Sequence, residues 1–323
     1  MLAILLCKKC YLMKKYDSYT SFITCFFYPE SLKGAKVLVT GASTGIGEQI
    51  AYHYARLGAQ IVITARRENV LKEVVKKCED LGAQKALYIA ADMANPTDVD
   101  RVVEFAEKKL GGLDYLVLNH IGPSPYRMWD GDMDHIRWLM QVNFYSYLQM
   151  TVKALPALEK SKGSVVVVSS MLGKMCSPYA LPYIATKFAL NGFFGSLEHE
   201  LVMKQSNVSI SICILGLIDT EAAIEKVKLP TVRPNISVGV ACGLTLASGD
   251  KQCVSLSSAC NLRGYIDMAP YPAHEAAWNI IKTGALRQSE STYPSYVYYG
   301  MLFRDWFPTH RDMVIRGIYN YKP

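Results

Sequence analysis

From Lys36 onward the chain alternates two hydrophobic rhythms. Short, nearly continuous apolar runs at 36–40, 60–65, 86–91, 115–118, 164–169 and 208–215 read as strands buried on both faces. Between them, apolar residues recur at helical spacing over 46–57, 67–81, 96–110, 133–158 and 181–204. Apolar strands separated by helices predict an α/β protein, a doubly wound parallel sheet covered on both sides, with no internal repeat.

The stretch 229–263 breaks this rhythm. It is rich in Ser, Gly, Cys and Pro, holds no sustained period, and reads as a long loop inserted into the domain. A helix is predicted over 272–286, followed by a tyrosine-rich tail with a basic, aromatic end. The expected organisation is an anchor-like segment at 1–31, one domain over 32–288 carrying the insertion, and a tail at 289–323. In the first segment two apolar pieces, 2–7 and 18–28, are separated by Lys8, Lys9, Lys14, Lys15 and Asp17. Neither approaches the roughly 20 residues that cross a bilayer, which leaves a poor signal anchor or an interfacial segment with snorkelling lysines.

Composition narrows the class. With 50% hydrophobic and 20% charged residues the chain is a folded protein and not a disordered one. The net charge of +7 is dispersed, with no basic stripe carrying interleaved aromatics, so a nucleic-acid partner is not expected. Nine cysteines at irregular spacing form no disulfide framework, and the pair Cys7 and Cys10 lacks a second pair or a histidine, so no metal site is expected.

The first strand runs into Thr40-Gly41-Ala42-Ser43-Thr44-Gly45-Ile46-Gly47 and then a helical pattern. A strand, a glycine turn and a helix start form a phosphate cradle, because glycine lets the backbone approach an anion while free N–H groups and the helix dipole face it. A dinucleotide is the expected ligand, in a Rossmann fold. After the second strand stand Arg66 and Arg67, where a chain binding NAD would present a carboxylate to the ribose. Two guanidiniums favour the 2′-phosphate of NADP, and Glu68, one place on, is expected to cap the next helix. Asp92 and Asn119 follow the third and fourth strands, where open α/β sheets bind ligands; Asp92 either receives the adenine amino group or caps the helix near Pro96.

Ser170 ends the fifth strand, and Tyr183 and Lys187 stand at i and i+4 on the following helix, sharing one face. A free phenol titrates near 10, and a neighbouring ammonium is expected to lower that value, letting Tyr183 act as acid towards a carbonyl or as base towards an alcohol. Ser170 can donate a hydrogen bond to the same oxygen. A serine hydrolase is excluded, since no GxSxG elbow surrounds Ser169 or Ser170.

The glycine stretch, Asn119, Ser170 and Tyr183 with Lys187 together resemble the short-chain dehydrogenase/reductase family, over 32–217 and again from Tyr265. The resemblance implies a catalytic tetrad of Asn143, Ser170, Tyr183 and Lys187 that holds a relay water, with Lys187 also on the nicotinamide ribose. Within the family, VTGAS, TARR, LNHI, VVVSS, LGLIDTE and GALRQ are similar to the type 1 11-beta-hydroxysteroid dehydrogenases. That likeness implies NADP(H), contacted by Gly41, Ser43, Thr44, Gly45, Ile46, Gly47, Arg66, Arg67, Asp92, Met93, Asn119, His120 and Ile121, and covered by Ile218, Thr220 and Ala222. It implies a steroid or other hydrophobic carbonyl substrate against Ser170, Tyr183, Leu215 and Leu217. It further implies a homodimer associated with the endoplasmic reticulum membrane, its catalytic domain in the lumen; the sequon at Asn207 is compatible with that setting. Thr44 stands where those enzymes carry lysine, Ser177 replaces a pocket tyrosine, and Pro182 directly precedes Tyr183. The expected reaction is interconversion of a ketone and a secondary alcohol on a steroid. The other readings are reduction of other carbonyls or sterol ketones, and cofactor binding with catalysis impaired by the insertion.

Overall fold

The computed structural model describes residues 29–220 and 270–306, with single positions at 309, 312 and 315. The expected anchor (1–28 of it), the insertion at 229–263 and the cofactor call at Ala222 lie outside the described residues.

The chain alternates β1 (Lys36–Thr40), α1 (Gly45–Arg56), β2 (Gln60–Ala65), α2 (Glu68–Asp80), β3 (Lys85–Ala90), α3 (Pro96–Leu110) and β4 (Tyr115–Leu118). It continues through α4 (Met133–Met140), a π-helical turn (Gln141–Tyr145), α5 (Ser146–Ser161), β5 (Ser164–Ser170), α6 (Leu181–Met203) and β6 (Ser209–Leu215). A short pair, β7 (Ile218–Asp219) and β8 (Tyr271–Pro272), precedes α7 (Ala273–Ala285), β9 (Glu290–Tyr293) and α8 (Ser295–Trp306).

The main sheet runs β3-β2-β1-β4-β5-β6-β9, parallel throughout. Because successive strand residues point to opposite faces, the two faces feed two cores. Leu38, Val62, Leu116, Val165 and Ile210 pack with α3, α5 and α6, while Val37, Val39, Ile61, Val117 and Val166 pack with α1, α2 and α7. All of these side chains are essentially inaccessible, which is why the strands read as unbroken apolar runs. The strand order reverses between β1 and β4, so a crevice opens beyond their carboxyl ends.

Two expectations change. The tail expected from 289 begins as a strand: Cys213 and Ser291 are register partners, and Thr283 Oγ1 donates to Ser291 Oγ at 2.8 Å. Four half-polar residues at the sheet edge carry no apolar run, so hydrophobic pattern alone misses them. The single helix expected over 133–158 is interrupted by the π-helical turn at Gln141–Tyr145. No helix among the described residues is long and apolar enough to cross a membrane.

Candidate active site

β1 ends at the fully buried Thr40, whose hydroxyl donates to the Val117 carbonyl at 3.1 Å and ties β1 to β4. The chain then turns through Gly41 and Gly45, both at φ +65°, a conformation that a β-carbon disfavours. A β-carbon on Gly47 would lie 2.6 Å from Asn119 Nδ2 and closer still to the Gly41 carbonyl oxygen. Asn119 locks the turn, with Nδ2 donating to the carbonyls of Thr40 at 3.1 Å and Gly41 at 3.2 Å. Thr44 sits at the cap position of α1 without capping it; its Oγ1 accepts from Arg67 Nη2 at 3.1 Å instead. The start of α1 is thereby left without a side-chain cap, and it faces a cleft.

That cleft, about 610 Å³, lies at the reversal of strand order. It gathers Gly41, Ser43, Thr44, Gly45 and Ile46 with Arg66, Arg67, Asp92 and Met93, and Asn119, His120 and Ile121 with Thr220. The Thr220 methyl would sit 3.1 Å from a β-carbon on Gly45. Three features fit a dinucleotide: glycine backbone too close for side chains, an uncapped helix start, and the buried Thr64 Oγ1, which borders the cleft without a hydrogen-bond partner.

The polar residues around it sort out as follows. Arg66 is exposed at the cleft, while Arg67 also reaches Ser43 Oγ at 3.3 Å. Glu68 does not cap α2; it opens the first turn and pairs with Lys72 at 2.9 Å. Asp92 does not cap α3 either, because Asn95 does so by accepting from Thr97 N at 3.1 Å. Asp92 accepts from Ala94 N at 2.9 Å in a local turn, at the cleft wall.

The next strand over, β5, delivers Ser170, whose Oγ accepts from Leu172 N at 3.1 Å and which hydrogen-bonds Tyr183. Pro182, in the first turn of α6, costs the helix nothing, since N–H groups there have no intrahelical acceptor. Lys187 is 2% exposed, with Nζ donating to the Val168 carbonyl at 2.8 Å and lying 5.7 Å from the centre of the Tyr183 ring. The lowered phenol expected at Tyr183 is not found: burial pushes it up to about 12, with the Ser170 hydrogen bond acting the other way. Lys187 directs a donor at a carbonyl, and desolvation of the phenolate sets the direction of the shift.

Asn143 lies in the π-helical turn, fully buried. Its Oδ1 accepts from Gly122 N at 2.7 Å and its Nδ2 donates to Thr186 Oγ1 at 3.2 Å, joining the cleft wall to the helix of Tyr183. The widened turn aims the amide inwards; a sequence pattern carries no mark of it.

Leu215 and Ile218 belong to the core, 4% and 5% exposed, and do not border the cleft. Leu217 is half-buried, its N–H donating to the Tyr296 hydroxyl at 2.9 Å. Beyond its place in LNHI, His120 has a role that no sequence pattern signals. Its ring spans from Thr40 Oγ1 at 2.9 Å to Ser146 Oγ at 2.7 Å, and burial lowers its pKa to about 3, so it is neutral. Tyr147 donates to the His120 carbonyl at 2.7 Å, and Lys187 Nζ is 5.8 Å from the Tyr147 ring.

The short chain dehydrogenase family model matches residues 35–229. The "hydroxysteroid 11-beta-dehydrogenase 1-like protein" of Danio rerio is 64% identical over 297 residues, covering 92% of this chain and 91% of that one. The protein of the same name from Gallus gallus is 52% identical, covering 91% and 90%. Among solved structures, a short chain dehydrogenase from Burkholderia cenocepacia in complex with NADP is similar at TM-score 0.62 and 26% identity, over 81% of this chain and 95% of that one. A Burkholderia phymatum short chain dehydrogenase/reductase, 19% identical, shares the fold at TM-score 0.69 over 90% and 98%. A glycine turn that only a backbone can line, a serine and a tyrosine joined by a hydrogen bond, and a lysine buried beside them agree with these matches: the chain belongs to the short-chain dehydrogenase family of oxidoreductases.

Proposed function

We propose that this protein is an NADP(H)-dependent reductase that interconverts a ketone and a secondary alcohol on a steroid, acting at an 11-oxo group. One observation carries the chemistry: Tyr183 is hydrogen-bonded to Ser170, with Lys187 Nζ 5.7 Å from the centre of its ring. The phenol carries its proton at neutral pH, the form that reduction of a ketone needs. The substrate class is supported by the relatives' name and by the LNHI and LGLIDTE stretches.

Arg66 and Arg67 would take the 2′-phosphate, and the uncapped start of α1 the pyrophosphate. A nicotinamide dinucleotide held by these residues would supply the hydride. Ser170 donates a hydrogen bond to the carbonyl oxygen and Tyr183 transfers its proton there, giving the alcohol. Lys187 sits beside the Tyr183 ring, and Asn143 fixes the cleft wall against α6. A luminal setting is part of the same proposal, supported by the exposed Asn207 of its sequon, and a membrane-associated homodimer is carried by the likeness to the type 1 enzymes alone.

The test is NADPH consumption by the full chain with cortisone, in parallel with the Tyr183→Phe variant. Loss of turnover with NADPH binding retained is expected. Undiminished turnover in the variant overturns the proton assignment, and a wild-type chain that reduces a small aromatic ketone but no steroid overturns the substrate.

A further inference from the structure

β6 pairs with β9 as far as Leu215 and Tyr293, and one further amide, Gly216 N, donates to the Tyr293 carbonyl at 2.8 Å. There the ladder stops: Pro294 has no N–H, and α8 begins at Ser295. The chain beyond β6 is nevertheless held. Leu217 N donates to the Tyr296 hydroxyl at 2.9 Å, and the Leu217 carbonyl accepts from Tyr271 N at 2.9 Å. Both backbone groups of this residue are thus taken, one of them by a side chain from the C-terminal helix.

The phenol is placed with little freedom. Its ring lies 5.8 Å from that of Tyr271, centre to centre, and Tyr271 meets Tyr293 edge-on at 6.1 Å. A β-carbon on Gly216 would overlap the Tyr296 oxygen and come within 2.7 Å of its Cζ, so glycine is what lets the hydroxyl reach the backbone. Burial pushes the phenol up, which keeps it a neutral hydroxyl. Beyond Leu217, Ile218 and Asp219 pair with Tyr271 and Pro272, and the strap then reaches the glycine turn. Thr220 borders the cleft there, its methyl 3.1 Å from where a β-carbon on Gly45 would lie.

We propose that the Tyr296 hydroxyl is a latch that fixes the strap 216–220 against the glycine turn, which makes a residue of α8 a positioning residue for the dinucleotide. This rests on dinucleotide binding in the cleft and not on the choice of carbonyl substrate. Tyr296 does not border the cleft, so it acts through the strap. With the latch made, Thr220 is in place before the cofactor arrives, and binding does not have to order it. The 2′-phosphate has its partners at Arg66 and Arg67, so the latch strengthens NADPH and NADH alike.

The experiment titrates NADPH and NADH into the full chain by nicotinamide fluorescence, for wild type, Tyr296→Phe, Gly216→Ala and the double variant. Tyr296→Phe keeps the ring and removes one oxygen, and is expected to raise Kd for both dinucleotides by the same factor, about fivefold. Gly216→Ala should raise Kd as well, and the double variant no further than Gly216→Ala alone, since both break the same contact. Amide exchange in the cofactor-free Tyr296→Phe chain should quicken over 216–220 while 209–214 stays protected. Ser291→Ala removes a hydrogen bond from β9 without touching the strap, and should leave Kd where it is, so a general loss of stability does not mimic the result. An unchanged Kd in Tyr296→Phe, additive effects of the two substitutions, a shift for NADPH alone, or exchange that quickens across all of β6 overturns the latch. A wild-type chain that binds neither dinucleotide overturns the cofactor reading and the latch together.

Discussion

Lys187 Nζ donates to the backbone carbonyl of Val168 at 2.8 Å, so a fully buried ammonium is moored to strand β5 while lying 5.7 Å from the ring centre of Tyr183. The lysine is held by the sheet. Replacing it with methionine keeps most of the volume and removes the charge. Lys187→Met is expected to lower kcat about a hundredfold, within the range that general acid–base chemistry supplies. Lys187→Arg should not rescue it, because a planar guanidinium needs more room than this site has. Steady-state kinetics on folded variants check both.

The position of the Tyr183 phenol fixes a pH dependence. With the group raised to about 12, the neutral acid dominates throughout the ordinary assay range. Reduction should therefore be flat from pH 6 to about 9, while oxidation of the alcohol, which needs the phenolate, should rise about tenfold per pH unit. Profiles of kcat/KM in both directions read this directly. An oxidation limb that levels off near pH 7 contradicts it.

Gly47 tolerates no side chain. A β-carbon there would press on Asn119 Nδ2 at 2.6 Å and on the Gly41 carbonyl, both parts of the lock that shapes the turn. Gly47→Ala is expected to abolish NADPH binding, measured by fluorescence titration, while the far-ultraviolet circular dichroism of the sheet and helices persists.

Arg67 rests on Ser43 and Thr44, at the lip of the glycine turn. Hydrogen bonds to charged groups contribute about 1.5–3 kcal/mol, so Arg67→Ala should raise KM for NADPH about tenfold or more. KM for NADH should change far less. Equal effects on the two would remove Arg67 from recognition of the 2′-phosphate.

His120 links β1 through Thr40 to the Val142 carbonyl, in the turn that carries Asn143, and it is kept neutral by burial, its pKa lowered to about 3. The unfolded chain protonates this histidine near 6.5 and the folded one does not. Folding stability from this group is thus complete above about pH 6.5 and falls by about 1.4 kcal/mol per pH unit between there and about pH 3. Urea unfolding at pH 7 and pH 5 should show that fall, and His120→Gln should flatten it while lowering stability at pH 7.

How much of this was written in the sequence follows from what each feature depends on. Strands β1, β2 and β4 were legible to the residue, because strands buried on both faces must be apolar throughout. The glycine turn, the paired arginines and the spacing of Tyr183 and Lys187 were legible too, since each is local: the turn needs φ above zero at Gly41 and Gly45, and one helical turn brings i and i+4 together. The tertiary structure decided the rest. The half-polar strand β9 takes its place from pairing with β6, and the π-helical turn at Asn143 from bonds to Gly122 and Thr186. The phenol of Tyr183 was expected low and stands high, because its charge state depends on burial and on where the Lys187 ammonium donates, and neither is a property of spacing along the chain. Local sequence sets which side chains share a face; only packing across distant segments sets what solvent and which partners those side chains retain.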